Sequence, residues 1–180
     1  MLIRLGAAAL NQTPLDWEGN LRRCAGAVQE AKKDHVGLLL LPELALSGYG
    51  CEDAFFMPSV QEQAWKSLRA LAPKTRGIAV AVGLPVFHAG VLYNVAALVV
   101  DGRLAGLVPK RNLAGDGLHY EPRWFKPWPA GALENHEGVP IGDVLFAVAG
   151  VKVGFEVCED AWVPERPGIS LSRRGADVLL

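Results

Sequence analysis

Three residues of this chain have the side chains needed to break an amide bond: Glu43, Lys110 and Cys158. Each follows an apolar run that reads as a buried strand, Val36 to Leu41, Leu104 to Val108 and Val151 to Val157. Ligand sites of open α/β sheets gather beyond the carboxyl ends of strands, so the three share an address. A thiol attacks the carbonyl carbon. A carboxylate takes the thiol proton and later delivers it to the leaving ammonia. A lysine ammonium, helped by backbone N–H groups, stabilises the tetrahedral oxyanion. Each residue also has an ordinary use. A glutamate after a strand is commonly solvated, Lys110 beside Arg111 reads as a surface pair, and a strand-end cysteine is commonly buried and inert.

The cysteine sits in GFEVCEDAW, residues 154–162, and Cys51 opens a second Cys-Glu-Asp triplet. Neighbouring carboxylates disfavour a thiolate. Lys110 would offset that charge, and Glu43 would accept the thiol proton as attack proceeds. A Cys–His hydrolase using His119 is a competing arrangement, but no papain-type context surrounds Cys158. Cys24 shares an apolar helix face with Leu21, Val28 and Ala31, which makes it a core residue.

The elements that must position these groups follow from pattern. Ile3 to Ala9 reads as a strand. Asp16 is a helix N-cap with apolar residues recurring at helical spacing behind it. Ser59 to Glu62 reads as a capping box opening a helix over Ala64, Trp65, Leu68 and Leu71. Ile78 to Val82 is a buried strand. Asp101-Gly102 is a two-residue hairpin turn between Val95–Val100 and Leu104–Val108. Ala149-Gly150 gives a weaker hairpin between Val144–Val148 and Val151–Val157, and Ala176 to Leu180 begins one more strand. Strands alternating with helices, followed by hairpins, predict an α/β fold with two mixed sheets packed together and helices outside. Residues 112–140 show no clean periodicity and read as a long functional loop.

The 180 residues suit one domain, 1–180, and 51% hydrophobic content suffices for a substantial core. A formal net charge of −1 gives no reason to expect nucleic acid or an anionic membrane as partner. No apolar segment is long enough to span a bilayer. Three cysteines without a CxxC argue against a disulfide framework or zinc knuckle and for a reducing, cytoplasmic setting.

LPELALSGYG around Glu43, VPKRNLAGDGLHYEPRWF around Lys110 and GFEVCEDAW around Cys158 resemble, in order and separation, the signature segments of the nitrilase, or carbon–nitrogen hydrolase, superfamily. The last two are similar to the glutaminase domain of glutamine-dependent NAD synthetases. The resemblance implies an αββα sandwich with Glu43 as acid/base, Lys110 as electrostatic stabiliser and Cys158 as nucleophile. It also implies Glu121 as a supporting carboxylate and offers the Glu159 backbone N–H as an oxyanion donor. Cys51 falls where relatives often carry a small residue or proline. The substrate implied is glutamine, with ammonia passed to a synthetase domain that amidates deamido-NAD, and with self-association into a homo-oligomer. The alternatives are a stand-alone amidase acting on another small amide and an inactive domain that serves assembly. Many NAD synthetases carry a tyrosine six residues after the lysine; Asp116 stands there, and the role is not transferred to Tyr120.

The chain stops inside an apolar run, Val178 to Leu180, which reads as the front part of a longer polypeptide with the sandwich truncated at its C-terminal end. On that reading no cofactor belongs to this chain, and ATP and Mg belong to the missing synthetase part. Gly48 and Gly50 flank Tyr49, Gly115 and Gly117 flank Asp116, and neither pair continues into a phosphate-binding turn opening a helix. Calorimetric titration with ATP and magnesium is expected to give no saturable binding; micromolar affinity would reveal a nucleotide site within these residues.

Overall fold

The computed structural model describes residues 3–180. A seven-stranded mixed sheet has the order β1-β2-β3-β4-β5-β7-β6. Its strands are β1 (Leu5–Ala7), β2 (Leu38–Leu40), β3 (Ala79–His88), β4 (Val91–Val100), β5 (Arg103–Pro109), β6 (Leu133–His136) and β7 (Val139–Gly142). β1, β2 and β3 run parallel, β3, β4 and β5 form antiparallel hairpins, and β5 pairs parallel with β7. A second sheet of β8 (Phe146–Val148), β9 (Val151–Gly154) and β10 (Val178–Leu179) has the order β10-β9-β8.

Alternation along the central strands assigns the layers. Leu39, Val80, Val82, Ala97 and Val99 face Cys24, Val28, Leu68 and Leu71 of the helices α1 (Trp17–Lys33) and α2 (Pro58–Leu71). Leu38, Ala79, Ala81 and Leu98 face Phe146, Val148, Val153 and Phe155 of the second sheet. The outer face of that sheet carries α4 (Pro167–Arg173), whose Leu171 lies so close over Gly154 that a Cβ there would stand 2.9 Å from it. Helices, sheet, sheet and helix stack as the expected αββα sandwich of two mixed sheets.

Four hairpins turn on one device, a residue and a glycine both at positive φ. Asp101-Gly102 and Ala149-Gly150 were legible; Ala89-Gly90 and Glu137-Gly138 join β3 to β4 and β6 to β7 in the same way. The glycine takes the left-handed conformation without Cβ strain, and the resulting twist matches the strands. β3 therefore extends to His88, beyond the expected end at Val82.

Two expectations are corrected. The capping box does not form: α2 begins at Pro58, after an uncapped Met57, which leaves Ser59 inside the first turn. Proline at the first helical position lacks the N–H that would need a cap and has the helical φ built in. Residues 112–140 are not one loop: α3 (Glu121–Trp124) and the start of the β6–β7 hairpin lie within them. The hairpin leaves no signal in the sequence because β6 is largely exposed and β7 contains Pro140, so neither strand alternates.

One close approach positions the site. From Leu41 to Leu46 the chain runs along β3, with the Leu41 and Leu46 N–H groups donating to the carbonyls of Ala81 and Gly83. A Cβ at Gly83 would stand 2.2 Å from the Leu44 nitrogen and 2.8 Å from Glu43 Cα. Gly83→Ala is therefore expected to force the Glu43 segment off the sheet. The cost is about 1–3 kcal/mol, as for overpacking elsewhere, and is measurable by chemical denaturation.

Candidate active site

Lys110 directly follows β5, with its side chain fully buried. Its Nζ lies 2.8 Å from Glu43 Oε1 and 2.7 Å from Glu121 Oε2. Asn94 Nδ2, from β4, donates to Glu43 Oε1 at 2.7 Å and to Glu121 Oε1 at 3.0 Å. The Tyr49 hydroxyl donates to Glu121 Oε1 at 3.2 Å, and the Ala114 N–H donates to Glu121 Oε2 at 2.7 Å. One ammonium thus serves two carboxylates, and an amide bridges both from the other side. Among the described residues the buried Asn94 Oδ1 has no partner, so this amide is oriented by its donor end.

Cys158 stands opposite, in a cavity of about 510 Å³ whose wall includes Glu43, Asn94, Gly83 and Glu156. The thiol residue is exposed, whereas Cys24 and Cys51 are buried. Cys158 has φ +50°, at the head of a single 3-10 turn, and Leu44, beside Glu43, has φ +51°. A non-glycine residue there is strained and is held only because its surroundings over-determine it.

The electrostatics follow from burial and from two carboxylates facing one ammonium. Burial raises the Glu43 carboxyl above its ordinary value; the Lys110 charge opposes this and Glu121 adds to it. Burial alone would lower the Lys110 ammonium, but the two carboxylates outweigh it and the net shift is upward. The Cys158 residue is exposed overall but its sulfur is partly shielded from solvent, and the thiol is raised first by that desolvation and then by Glu43; Lys110 and the Glu159 N–H pull the other way. A thiolate would add a second negative charge to a cluster already at −1. The thiol therefore keeps its proton until that proton has a destination.

All the expected site residues except Glu159, whose contribution is its N–H beside the Cys158 sulfur, have their side chains on this cluster or its cavity wall. His119 does not line the cavity; its ring stands edge-on to Tyr49. Asp116 is exposed. Asn94 and Tyr49 join the cluster without being expected from the sequence. A polar residue inside the run Val91 to Val100 was the available signal for Asn94. Tyr49, between two glycines in a loop, gave none that points to a distant carboxylate. Among the described residues no group of three or more His, Cys, Asp or Glu side chains is placed to hold a metal ion, and no helix is long and apolar enough to cross a membrane.

A two-sheet αββα sandwich with this cluster at its strand ends fits enzymes that cut carbon–nitrogen bonds. Residues 4–180 match the family model for carbon-nitrogen hydrolases, and the chain belongs to that family. Among curated proteins, it is 32% identical to the human glutamine-dependent NAD(+) synthetase over 192 residues, which are 98% of this chain and 27% of that protein. The Saccharomyces cerevisiae glutamine-dependent NAD(+) synthetase is 33% identical, with 99% and 27% covered. The crystal structure of a glutamine-dependent NAD(+) synthetase from Cytophaga hutchinsonii superposes with a TM-score of 0.88 at 41% identity, over 98% of this chain and 30% of that one. An amidase from Nesterenkonia sp. shares the fold, with a TM-score of 0.79 at 23% identity over 98% of this chain and 63% of that one. The chain therefore spans about a quarter of the length of the curated relatives it matches.

The Glu43 shift has a consequence for stability. Its carboxyl is raised in the folded state, so the fold binds that proton more tightly than the unfolded chain does. Stability is lost as pH rises from the ordinary carboxylate value, 4.5, through the raised one. Glu43→Gln, which keeps an acceptor for Lys110, should fold and gain stability over the parent as pH rises through that window, with no gain below it. Thermal melts across pH 4 to 8 measure the difference.

Proposed function

We propose that this chain hydrolyses the side-chain amide of glutamine through a thioester on Cys158. Its ammonia then serves ATP-dependent amidation of deamido-NAD by a synthetase domain. The observation that carries the reading is the buried Lys110 ammonium shared between Glu43 and Glu121, in a site whose cavity also holds the Cys158 thiol. Identity of 32–41% to glutamine-dependent NAD synthetases, over nearly the whole of this chain, supports the substrate.

The chemistry runs as two half-reactions. As the Cys158 sulfur bonds to the amide carbon, its proton passes to the Glu43 carboxylate, so the cluster gains no charge. The carbonyl oxygen becomes an oxyanion, stabilised by the Lys110 ammonium and the Glu159 N–H. Collapse breaks the carbon–nitrogen bond, and Glu43 returns the proton to the departing nitrogen, which leaves as ammonia. Glu43 then takes a proton from water as the water oxygen attacks the thioester. Collapse of the second tetrahedral species breaks the carbon–sulfur bond, releases glutamate and restores the thiol with that proton. Glu121 holds the lysine in place and takes no proton.

An electrophilic glutamine analogue should label Cys158 and spare Cys24 and Cys51, as peptide mass mapping would report; equal labelling of Cys51 defeats the assignment. Lys110→Ala should lower kcat by about 10²–10³, the usual cost of a lost oxyanion donor. Because Glu43 must be ionised to accept the thiol proton, kcat/KM for glutamine should rise with pH through the raised Glu43 pKa. Faster hydrolysis of other small amides than of glutamine would favour a stand-alone amidase.

A further inference from the structure

Lys110 and Cys158 belong to different sheets. Lys110 follows β5 of the large sheet, and Cys158 follows β9 of the small one. Strand pairing fixes distances within a sheet, but no ladder joins these two. Among the described residues, no backbone–backbone hydrogen bond links residues 110–120 to residues 155–165. Something else must hold the ammonium and the sulfur in register across the gap between the sheets.

Asp160 spans that gap. It is buried, 3% exposed, two residues after Cys158. Its Oδ1 accepts from the Asn112 N–H at 2.7 Å, the Asn112 Nδ2 at 2.9 Å and the Arg111 N–H at 3.2 Å. Its Oδ2 accepts from the Val157 N–H at 3.1 Å. The donors are the residues directly after Lys110 and the residue directly before Cys158. All four are N–H groups, so the arrangement suits an ionised carboxylate, which only accepts; an asparagine amide would set its own NH₂ against one of them. The other backbone bonds at Lys110, its N–H to the Asn94 carbonyl and its carbonyl from the Trp128 N–H, tie it to neighbouring strand and loop but not to the cysteine.

We propose that Asp160 is a positioning residue for the reaction: its carboxylate ties the Lys110 segment to the Cys158 turn and sets where the lysine ammonium stands relative to the sulfur. This rests on the reading of Lys110 and Cys158 given above. It also accounts for Asp160 in the Cys-Glu-Asp triplet. The Asp160 carboxylate is spent on four N–H groups, and the acidic side chains acting most strongly on the thiol are Glu43 and Glu121.

The test uses Asp160→Asn and Asp160→Ala in the full chain, with folding checked by circular dichroism and thermal melting. Two readouts follow: kcat and KM with glutamine, and the pH dependence of Cys158 alkylation by iodoacetamide, followed by mass spectrometry. The alkylation readout does not depend on glutamine being the substrate. A misplacement of about 1 Å can cost 10²-fold, so Asp160→Ala should lower kcat by about that factor while KM changes little. Asp160→Asn, which keeps some acceptors, should lose less. The alkylation midpoint should move to higher pH in both variants as Lys110 ceases to face the sulfur. A midpoint that falls would mean that Asp160 acts on the thiol only by its charge. A lower melting temperature with unchanged kcat per folded molecule and an unchanged midpoint would make its role purely structural. Either result overturns the proposal. If Asp160→Ala does not fold, Asp160→Asn decides. If the parent protein does not turn over glutamine, that failure counts against the substrate reading, and the alkylation midpoints still judge Asp160.

Discussion

A single buried lysine ammonium organises this molecule. Removing a charge from water costs several kcal/mol, and the cost is met only when opposite charge and hydrogen bonds are close and well aimed. Lys110 has both, from Glu43 and Glu121, within 2.8 Å. Removing the ammonium from such a cluster typically costs about 3–5 kcal/mol because the carboxylates are left buried and unpaired. The requirement reaches outward: β5 must end at the lysine, the segment after β2 must bring Glu43 against β3, and α3 must hold Glu121 over both. Asn94 then bridges the two carboxylates, which would otherwise repel each other at close range.

The site also carries backbone strain of its own. Leu44 and Cys158 both have positive φ without being glycine. Gly83 is required because the Glu43 segment crosses it at a distance that no side chain allows. The carboxyl and thiol are raised and the ammonium is stabilised, so the resting thiol keeps its proton. These local costs are borne by the flanking layers, where aliphatic side chains from α1, α2 and the small sheet cover both faces of the central strands.

The division between the two sheets has its own consequence. Glu43 and Lys110 follow strands of the large sheet, while Cys158 follows the small sheet. Hydrophobic packing between sheets is non-directional and does not by itself fix how one strand end stands against another. Directional bonds supply what packing does not, and the Asp160 carboxylate is where they concentrate between these segments.

Much of this was legible in the residues. The apolar runs marked the central strands, the Asp101-Gly102 and Ala149-Gly150 turns marked two hairpins, and the three strand ends marked Glu43, Lys110 and Cys158. These depend on local pattern, because side-chain alternation and turn conformation are properties of a few consecutive residues. The β6–β7 hairpin was not legible, since exposed strands with a proline carry no alternation. The capping box failed because a proline one residue earlier began the helix. The partnership of Asn94 and Tyr49 with carboxylates 27 and 72 residues away, and the reach of Asp160 across 48 residues to Asn112, were decided only by the tertiary structure. A sequence names the groups that can donate and accept, but which of them meet is settled by how the layers pack.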